Sequence, residues 1–297
     1  MNHSISFSAI VRLVRPYQWV KNLFVFMALF FGGRLLDSQC WLPVTLAAIC
    51  FCLCSSAIYC LNDIIDAPAD RLDPAKKHRP VASGEVSTSA AAVTGSVMAA
   101  AGIVLSNVFL TAGATVILLF YLALNVAYCL KIKNIPLLDV IVVAIGFVLR
   151  VVIGGVVAGI WISQWIVIMV FLLSLFMALA KRRHEVVLVL NREKERGRRS
   201  VDGYDIRFLD MALSLLGAVT VIGYIIYTLQ PRTIAQFRTD YLYITALPVL
   251  VGILRYMQLT VVDNATGDPS RVALSDVPLR ISVVVWLLLF VAIIYLF

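Results

Sequence analysis

Charged side chains are scarce in this sequence. Asp, Glu, Lys and Arg make up 14% of its 297 residues, 61% of the residues are hydrophobic, and the mean hydropathy is +0.94. A soluble domain carries about 25% charged residues. The shortage excludes an ordinary soluble enzyme and predicts an all-α integral membrane protein with many apolar helices.

Two further features are missing. Residues 1–20 lack a continuous apolar core and a cleavage site, so we predict no secretory signal. The six cysteines form no disulfide framework, since Cys50, Cys52, Cys54 and Cys60 lie in one apolar run, where cysteine usually packs as a small hydrophobic residue. Alternate residues on a helix point about 200° apart, so these thiols are not expected to share a metal.

Nine apolar segments are long enough to cross a bilayer. We predict a single domain, residues 1–297, with nine transmembrane helices at 20–36, 41–61, 88–108, 111–130, 136–158, 161–180, 208–229, 241–262 and 279–297. Residues 8–19 read as a short interfacial helix before the first of these.

Lys and Arg are distributed unevenly between the two sides of this topology. One side carries 20 of them and the other carries Arg34, Arg232 and Arg238 alone. The positive-inside rule therefore places the N-terminus in the cytoplasm and the C-terminus outside the cytoplasmic (inner) membrane. In such a protein a net charge of +8 reflects contact with anionic lipid, so we expect a membrane partner and no nucleic acid.

The most unusual stretch is 62–80, NDIIDAPADRLDPAKKHRP. On a helix, its acidic side chains and one amide fall within an arc of about 100°. They are Asn62, Asp63, Asp66, Asp70 and Asp73. Carboxylates on one face repel each other unless a cation lies among them, and oxygen ligands suit Mg²⁺. We therefore predict Mg²⁺ as the cofactor, with Asp63, Asp66 and Asp70 as ligands and Asn62 orienting or ligating beside them. A solvated loop with helix caps is the alternative interpretation.

Two neighbouring features affect the predicted metal site: a proline within the acidic stretch and basic residues after it. Pro68 removes one intrahelical hydrogen bond, so we expect a bend or an end of the helix there. Lys76 and Arg79 follow the acids and suit the phosphate groups of a substrate.

Further polar residues interrupt the later helices. Asp139 and Arg150 are eleven residues apart, so they share a helix face about 16 Å apart along the axis. An arginine inside the membrane is costly and indicates function, although a structural pairing within the bundle is the alternative. Lys181 and Arg182 leave the sixth span, where membrane anchoring is the alternative. The candidate substrate-binding residues are Lys21, Lys76, Arg79, Tyr128, Lys131, Asp139, Arg150, Lys181 and Arg182.

The block Asn62-Asp63-x-x-Asp66-x-x-x-Asp70 after a second apolar span resembles the first aspartate motif of the UbiA superfamily of membrane prenyltransferases. The resemblance implies a UbiA-like bundle of nine helices with a cytoplasmic-side active site. UbiA prenyltransferases carry a second aspartate motif, DxxxD, between the sixth and seventh helices. The corresponding loop here, KRRHEVVLVLNREKERGRRSVDGYD, is dominated by basic residues.

With this basic loop, the sequence resembles one branch of the superfamily, the polyprenyl-phosphate phosphoribosyltransferases. The residues that support it are Arg15 to Asn22 (RPYQWVKN), Lys76 to Pro80 (KKHRP), Tyr128-x-x-Lys131 with Asp139 and Arg150, Lys181-Arg-Arg, and Arg255-Tyr256. The branch implies transfer of 5-phosphoribose from phosphoribosyl diphosphate to a polyprenyl (decaprenyl-type) phosphate, with release of diphosphate, for lipid-linked pentose and cell-envelope glycan synthesis.

Two other functions stay open. One is prenyl transfer from a prenyl diphosphate to an aromatic acceptor, which needs the same fold. The other is transport of an anionic solute, which charges at the middle of the membrane would favour. A homo-oligomer also stays open.

Overall fold

The computed structural model describes residues 6–191, 199–264, 272 and 275–295, and within these ranges the regular structure is helical, without a strand. The α-helices are α1 (Phe7–Val14), α2 (Met27–Phe31), α3 (Ser38–Asp70), α4 (Thr88–Phe109), α5 (Ala112–Leu130), α6 (Leu138–Ala158), α7 (Gln164–Leu190), α8 (Ile206–Leu229), α9 (Pro231–Phe237), α10 (Ala246–Val261) and α11 (Val277–Tyr295). Short 3₁₀ helices lie at Pro16–Phe26, Ile132–Asn134, Arg199–Gly203 and Tyr241–Thr245.

Eight helices in the described ranges are long and apolar enough to cross a membrane. They are α3 to α8, the segment Tyr241–Val261 that ends with α10, and Val277–Ile294 within α11. The chain is therefore a multi-pass helical membrane protein, as its composition predicts. The last two residues of the predicted span 279–297 lie outside the described residues.

The first predicted span, 20–36, differs from the others. A 3₁₀ helix over Pro16–Phe26 leads into the five-residue helix α2. Trp19 donates to Ser56 Oγ of α3 across 3.0 Å, so packing against α3 accompanies this tighter winding. At about 2.0 Å per 3₁₀ residue and 1.5 Å per α-helical residue, the segment is about 30 Å long, close to the hydrocarbon thickness. The count of nine is thus approximate and depends on this segment.

Helix α3 is 33 residues long. At 1.5 Å per residue this is about 50 Å, well beyond the thickness of the hydrocarbon core. Asp37 caps its start by accepting from the backbone N–H of Gln39. The expected end or bend at Pro68 is not where the helix stops: it continues to Asp70. The sequence Asn62 to Asp70 is therefore a helical extension of a membrane span.

The chain divides into two compact units. The first comprises Met1–Lys133 and Gly146–Ile162. Its main core joins Phe51 and Cys54 of α3 with Leu118 and Tyr121 of α5. Gly102 of α4 lies so close to α3 that a Cβ there would be 2.8 Å from the sulfur of Cys54. All six cysteines are free, which agrees with their prediction as packing residues.

The second unit comprises Asn134–Ile145 and Ser163–Phe297. Its core is built from α7, α8 and α10, with Phe176, Leu209, Leu213 and Tyr256 among the buried side chains. A Cβ at Gly217 of α8 would lie 3.1 Å from Ile253 of α10, so the glycine permits close packing of these two helices.

Candidate functional site

The last two turns of α3 carry the predicted carboxylates. Asp63 and Asp70 are buried, with 1% and 3% of their surface exposed, while the side chain of Asp66 is 22% exposed. Asn62 donates from Nδ2 to Asp66 Oδ2 across 2.9 Å, one helical turn away. This spacing orients the amide of Asn62 toward the carboxylates, on the helix face that the sequence predicts.

Each of the three helical carboxylates is paired with a basic side chain. Arg15 pairs with Asp63, and Lys133 pairs with Asp66. Arg79 Nη1 lies 2.7 Å from Asp70 Oδ2 and 3.6 Å from Asp63 Oδ1.

A fourth acid, Asp73, is linked to these carboxylates by Lys76. Lys76 Nζ lies 4.0 Å from Asp70 Oδ1 and 3.5 Å from Asp73 Oδ2. We call these four acids and four bases the α3 charge cluster: Asp63, Asp66, Asp70, Asp73, Arg15, Lys76, Arg79 and Lys133.

Arg15 reaches this cluster from an unusual backbone position. It lies between α1 and the following 3₁₀ helix with φ of 55°, in the left-handed region. A non-glycine residue is uncommon there, and the surrounding structure must hold it in place. Its guanidinium also lies over the ring of Tyr59, 5.2 Å from the centroid. The N-terminal segment therefore contributes a fixed cation to the carboxylates.

Lys133 enters from the short 3₁₀ turn between α5 and α6, and 7% of its surface is exposed. The sequence pointed instead to Lys131, which is exposed at the C-terminal cap of α5. Both lysines lie just past the helix end, so no helical periodicity separates them. No local pattern in the sequence brings Arg15 to the site, because its contact with Asp63 spans 48 positions.

The predicted ligand of these carboxylates is a magnesium ion. Within the described ranges, no three His, Cys, Asp or Glu side chains already converge as a ready-made set of ligands, because the carboxylates turn toward Lys and Arg. Asp63 Oδ2, however, is buried and accepts no hydrogen bond in the described structure. A buried carboxylate oxygen with no donor is costly, and it is the hard ligand that Mg²⁺ prefers. The residues present therefore fit a magnesium ion in chemistry, and Asp63, Asp66 and Asp70 as its ligands stay a prediction.

Arg150 lies deeper in the first unit and is 6% exposed. Its Nε donates to Asn22 Oδ1 across 2.8 Å, and its Nη1 donates to the backbone carbonyl of Gly146 across 2.7 Å. The guanidinium also lies 4.8 Å from the ring centre of Phe51 and 5.2 Å from that of Tyr121. These contacts provide the pairing inside the bundle that the sequence left open for this arginine.

Asp139 and Arg182 meet in the second unit. Arg182 Nε lies 2.8 Å from Asp139 Oδ2, and Arg182 also pairs with Glu185. Tyr204 donates its hydroxyl proton to Asp139 Oδ1 across 2.7 Å and accepts from the backbone N–H of Leu137. Burial, and next the bond to Asp139, raise the pKa of Tyr204, so the hydroxyl stays protonated and able to donate. Two predicted substrate-binding residues thus form a buried network that fastens the α7–α8 connection to the start of α6.

The neighbouring Arg183 has a structural position. It donates to Asp210 of α8 across 2.6 Å and to the carbonyl of Thr260 near the end of α10 across 2.8 Å. It also donates to Asn264 Oδ1 just beyond that helix. The basic residues inside the last third of α7 therefore include a cap for α10, because α7 continues to Leu190 beyond the predicted span 161–180.

The other predicted residues are more dispersed. Lys21 and Tyr128 are partly buried, and Lys181 is exposed on α7. The structure thus brings the acidic motif, Lys76 and Arg79 together in one cluster, and it places Asp139 with Arg182 in another. The roles of all these residues in binding or catalysis stay predictions.

Comparison with known proteins identifies the family. Residues 22–275 match the family model described as the UbiA prenyltransferase family. This chain belongs to the UbiA prenyltransferase family. The resemblance drawn from the acidic motif is confirmed.

Relatives of this UbiA-family chain also support the predicted branch. A decaprenyl-phosphate phosphoribosyltransferase from Mycolicibacterium smegmatis is 33% identical over 290 residues, which cover 94% of this chain and 90% of the relative. A protein of the same name from Corynebacterium glutamicum is 33% identical over 292 residues, covering 96% of this chain and 86% of the relative.

Solved UbiA structures share the fold. A UbiA homolog from Archaeoglobus fulgidus bound to GPP and Mg²⁺ gives a TM-score of 0.71 at 18% identity, covering 96% of this chain and 99% of that one. The apo structure of a UbiA homolog from Aeropyrum pernix K1 gives 0.62 at 16% identity, covering 93% and 98%. The UbiA-like fold predicted from sequence is confirmed.

Two acids that flank the α7–α8 connection, Glu185 within α7 and Asp205 before α8, have partners in the described structure. Glu185 pairs with Arg182, and Asp205 caps α8 by accepting from the backbone N–H groups of Arg207 and Phe208. Both acids therefore have local structural roles. The middle of the basic loop, 192–198, lies outside the described residues.

Proposed function

We propose that this protein transfers 5-phosphoribose from phosphoribosyl diphosphate to a polyprenyl phosphate of the decaprenyl type and releases diphosphate, with Mg²⁺ as its cofactor. The near-full-length likeness to two decaprenyl-phosphate phosphoribosyltransferases supports this activity. We further propose that it acts in lipid-linked pentose synthesis for the cell envelope, at the cytoplasmic face of the inner membrane.

The observation that carries the proposal is the mixed charge of the α3 charge cluster. Four carboxylates and four Lys or Arg side chains meet at one end of a membrane helix. Carboxylates suit a divalent cation, and Lys and Arg suit phosphate oxygens. A donor that carries both a metal-bound diphosphate and a separate sugar phosphate uses both kinds of group.

Asp63, Asp66 and Asp70 would hold the metal, with Asn62 fixing the orientation of Asp66 through its hydrogen bond of 2.9 Å. When bound, Mg²⁺ offsets the negative charge that develops on the leaving diphosphate. Arg15, Lys76, Arg79 and Lys133 bind phosphate oxygens. Lys21 and Lys131 are further candidates for the phosphate groups.

The transfer exchanges one C–O bond for another at C1 of the ribose. An oxygen of the lipid phosphate forms the new bond while the diphosphate leaves with the electron pair of the old one. Since the lipid phosphate is already ionised, no strong general base is needed. The protein's task is to position both phosphates and to stabilise charge in an oxocarbenium-like transition state.

The hydrophobic surface of the helices suits the polyprenyl chain of the acceptor. Many large apolar side chains on α4, α5, α8 and α11 are exposed, including Val97, Leu119, Leu215 and Leu288. Such surfaces are compatible with lipid, and a polyprenyl chain in the membrane has the same chemistry. The acceptor would therefore reach the site from within the bilayer.

A direct assay tests the proposal. Purified protein in detergent is incubated with Mg²⁺, phosphoribosyl diphosphate and a polyprenyl phosphate, and the lipid fraction is analysed by mass spectrometry. We expect a polyprenyl-phosphate-linked phosphopentose together with free diphosphate. A parallel incubation contains geranyl diphosphate and an aromatic acceptor. A prenylated aromatic product there, with no phosphopentose lipid in the first incubation, would instead support prenyl transfer.

A further inference from the structure

The Asp66–Lys133 ion pair occupies a carboxylate that the proposed function assigns to Mg²⁺. Asp66 Oδ1 is paired with Lys133, and Asp66 Oδ2 accepts the amide of Asn62 across 2.9 Å. Both oxygens are therefore engaged. A divalent cation and an ammonium group cannot share one carboxylate oxygen without strong repulsion at such short range.

The charge balance of the whole cluster points the same way. Four acids face four bases, so the α3 charge cluster is close to neutral by itself. Binding of Mg²⁺ alone would add two positive charges to a partly buried site, which is unfavourable. A diphosphate supplies the compensating negative charge, and the basic side chains must then turn from carboxylate to phosphate.

Lys133 has the properties that this exchange requires. Its ammonium group lies at the end of a flexible stem with freely rotating donors, and the residue lies in a three-residue turn and not within a long helix. Its partner Asp66 is 22% exposed, so a hydrated cation can approach it, whereas the side chain of Asp63 is 1% exposed. Arg15, by contrast, is held over Tyr59.

We propose that Lys133 is an exchangeable counter-ion: it neutralises Asp66 until Mg²⁺ takes that position, and then binds an oxygen of the donor diphosphate. The inference rests on the proposed function and adds that Lys133 contacts Asp66 before Mg²⁺ binds and the donor diphosphate afterwards. It makes the affinities for metal and diphosphate mutually dependent, because each ligand favours the arrangement in which Lys133 has left Asp66.

Chemical labelling of the wild-type protein tests the exchange without an activity assay. The protein is treated with a lysine-acylating reagent at one fixed pH, and modification of each lysine is measured by peptide mass spectrometry. Three conditions are compared: no added ligand, saturating Mg²⁺, and Mg²⁺ with inorganic diphosphate. We expect labelling of Lys133 to rise at least threefold with Mg²⁺ and to fall again with diphosphate. Lys77, which is exposed on the neighbouring segment, is the control and should react equally in all three.

Calorimetry separates this inference from the proposed function. If calorimetry shows Mg²⁺ bound both with and without diphosphate while Lys133 labelling stays constant, the exchange is overturned and the proposed function stays intact. A wild-type protein that binds no Mg²⁺ even with diphosphate overturns both.

A variant gives a second, independent measurement. We expect Lys133→Met to bind Mg²⁺ at least tenfold more tightly when diphosphate is absent, and to bind diphosphate at least tenfold more weakly when Mg²⁺ is saturating. Lys77→Met removes the same charge from an exposed position and should change neither affinity more than twofold. Unchanged affinities in a folded Lys133→Met protein contradict the proposal, and the wild-type labelling decides the matter if that variant does not fold.

Discussion

Arg150 Nε donates a hydrogen bond of 2.8 Å to Oδ1 of Asn22, a residue 128 positions earlier in the chain. Asn22 in turn donates to the sulfur of Cys52 across 3.0 Å. A cation within an apolar bundle is thereby stabilised by dipoles and by the rings of Phe51 and Tyr121. The contact joins the N-terminal 3₁₀ helix to α6 through two buried polar side chains.

This bridge predicts that Arg150→Lys destabilises the protein. Lysine cannot donate to Asn22 and to the carbonyl of Gly146 in the same fixed geometry, so we expect a loss of about 2–4 kcal/mol in the free energy of unfolding. The free energy of unfolding is measured by titrating the detergent-solubilised protein with SDS. Arg34→Lys at an exposed ion pair is the matched control and should change stability by under about 0.5 kcal/mol. Equal stability of the Arg150→Lys and wild-type proteins would show that the bridge contributes little.

The case of Arg150 shows where sequence reasoning ends. Helical periodicity correctly placed Asp139 and Arg150 on one helix, but it could not assign their partners. Asp139 pairs with Arg182, whereas Arg150 bonds to Asn22, and these pairings depend on tertiary packing. The acidic motif was easier, because its residues lie within one helix and share a face whatever the rest of the chain does.

The carboxylates give a second prediction. Asp63→Asn or Asp66→Asn should reduce transferase activity more than a hundredfold while the protein still folds, because a lost metal ligand costs several kcal/mol of transition-state stabilisation. Chelation by EDTA should abolish wild-type activity, and added Mg²⁺ should restore it. Asp37→Asn is the control, since asparagine also caps a helix and Asp37 caps α3. Full turnover by the wild type in EDTA would refute the role of the metal.

The network around Tyr204 gives a third prediction. Tyr204→Phe removes the donor to buried Asp139 and the acceptor for the Leu137 N–H. We expect a loss of about 1–3 kcal/mol in stability and faster proteolysis of the α7–α8 connection. Tyr241→Phe is a suitable control, because Tyr241 is 54% exposed. If the two variants are cleaved at the same rate, Tyr204 does not fasten this connection.

Most of the membrane helices were predictable because hydropathy over about 20 residues decides them. Predicted spans such as 88–108 and 111–130 lie within a residue of α4 and α5. The first span was harder, because composition cannot distinguish an α-helix from the 3₁₀ winding over Pro16–Phe26. Its contacts with α3, such as Trp19 with Ser56, are tertiary and leave no local signal.

That segment makes the topology testable. If Pro16–Phe31 crosses the bilayer together with the eight longer helices, the N-terminus is cytoplasmic and the C-terminus lies outside, as the excess of Lys and Arg on one side predicts. A reporter fused after Phe297, which lies outside the described residues, should then be active only on the non-cytoplasmic side. A matching fusion truncated within 263–276 should report the cytoplasm. Cytoplasmic activity of the full-length fusion would mean that the N-terminal segment does not cross.

The last prediction concerns the choice of donor. The α3 charge cluster holds as many Lys and Arg side chains as carboxylates, while Glu185 of α7 is used for an ion pair and Asp205 for the N-terminal cap of α8. Basic groups beside the carboxylates suit a donor with another phosphate at the far end of its sugar, because Arg and Lys bind such oxygens strongly.

We therefore expect phosphoribosyl diphosphate to bind in the micromolar range with Mg²⁺, without competition from geranyl diphosphate. Ribose diphosphate lacking the 5-phosphate should bind at least tenfold more weakly, about 1.4 kcal/mol. Calorimetry with the three ligands measures this, and charge reversal at exposed Lys131 should erase the preference if that residue contacts the 5-phosphate. Tight binding of geranyl diphosphate in a protein that ignores phosphoribosyl diphosphate would instead assign the site to prenyl transfer, since a prenyl donor has no second phosphate for these cations to bind.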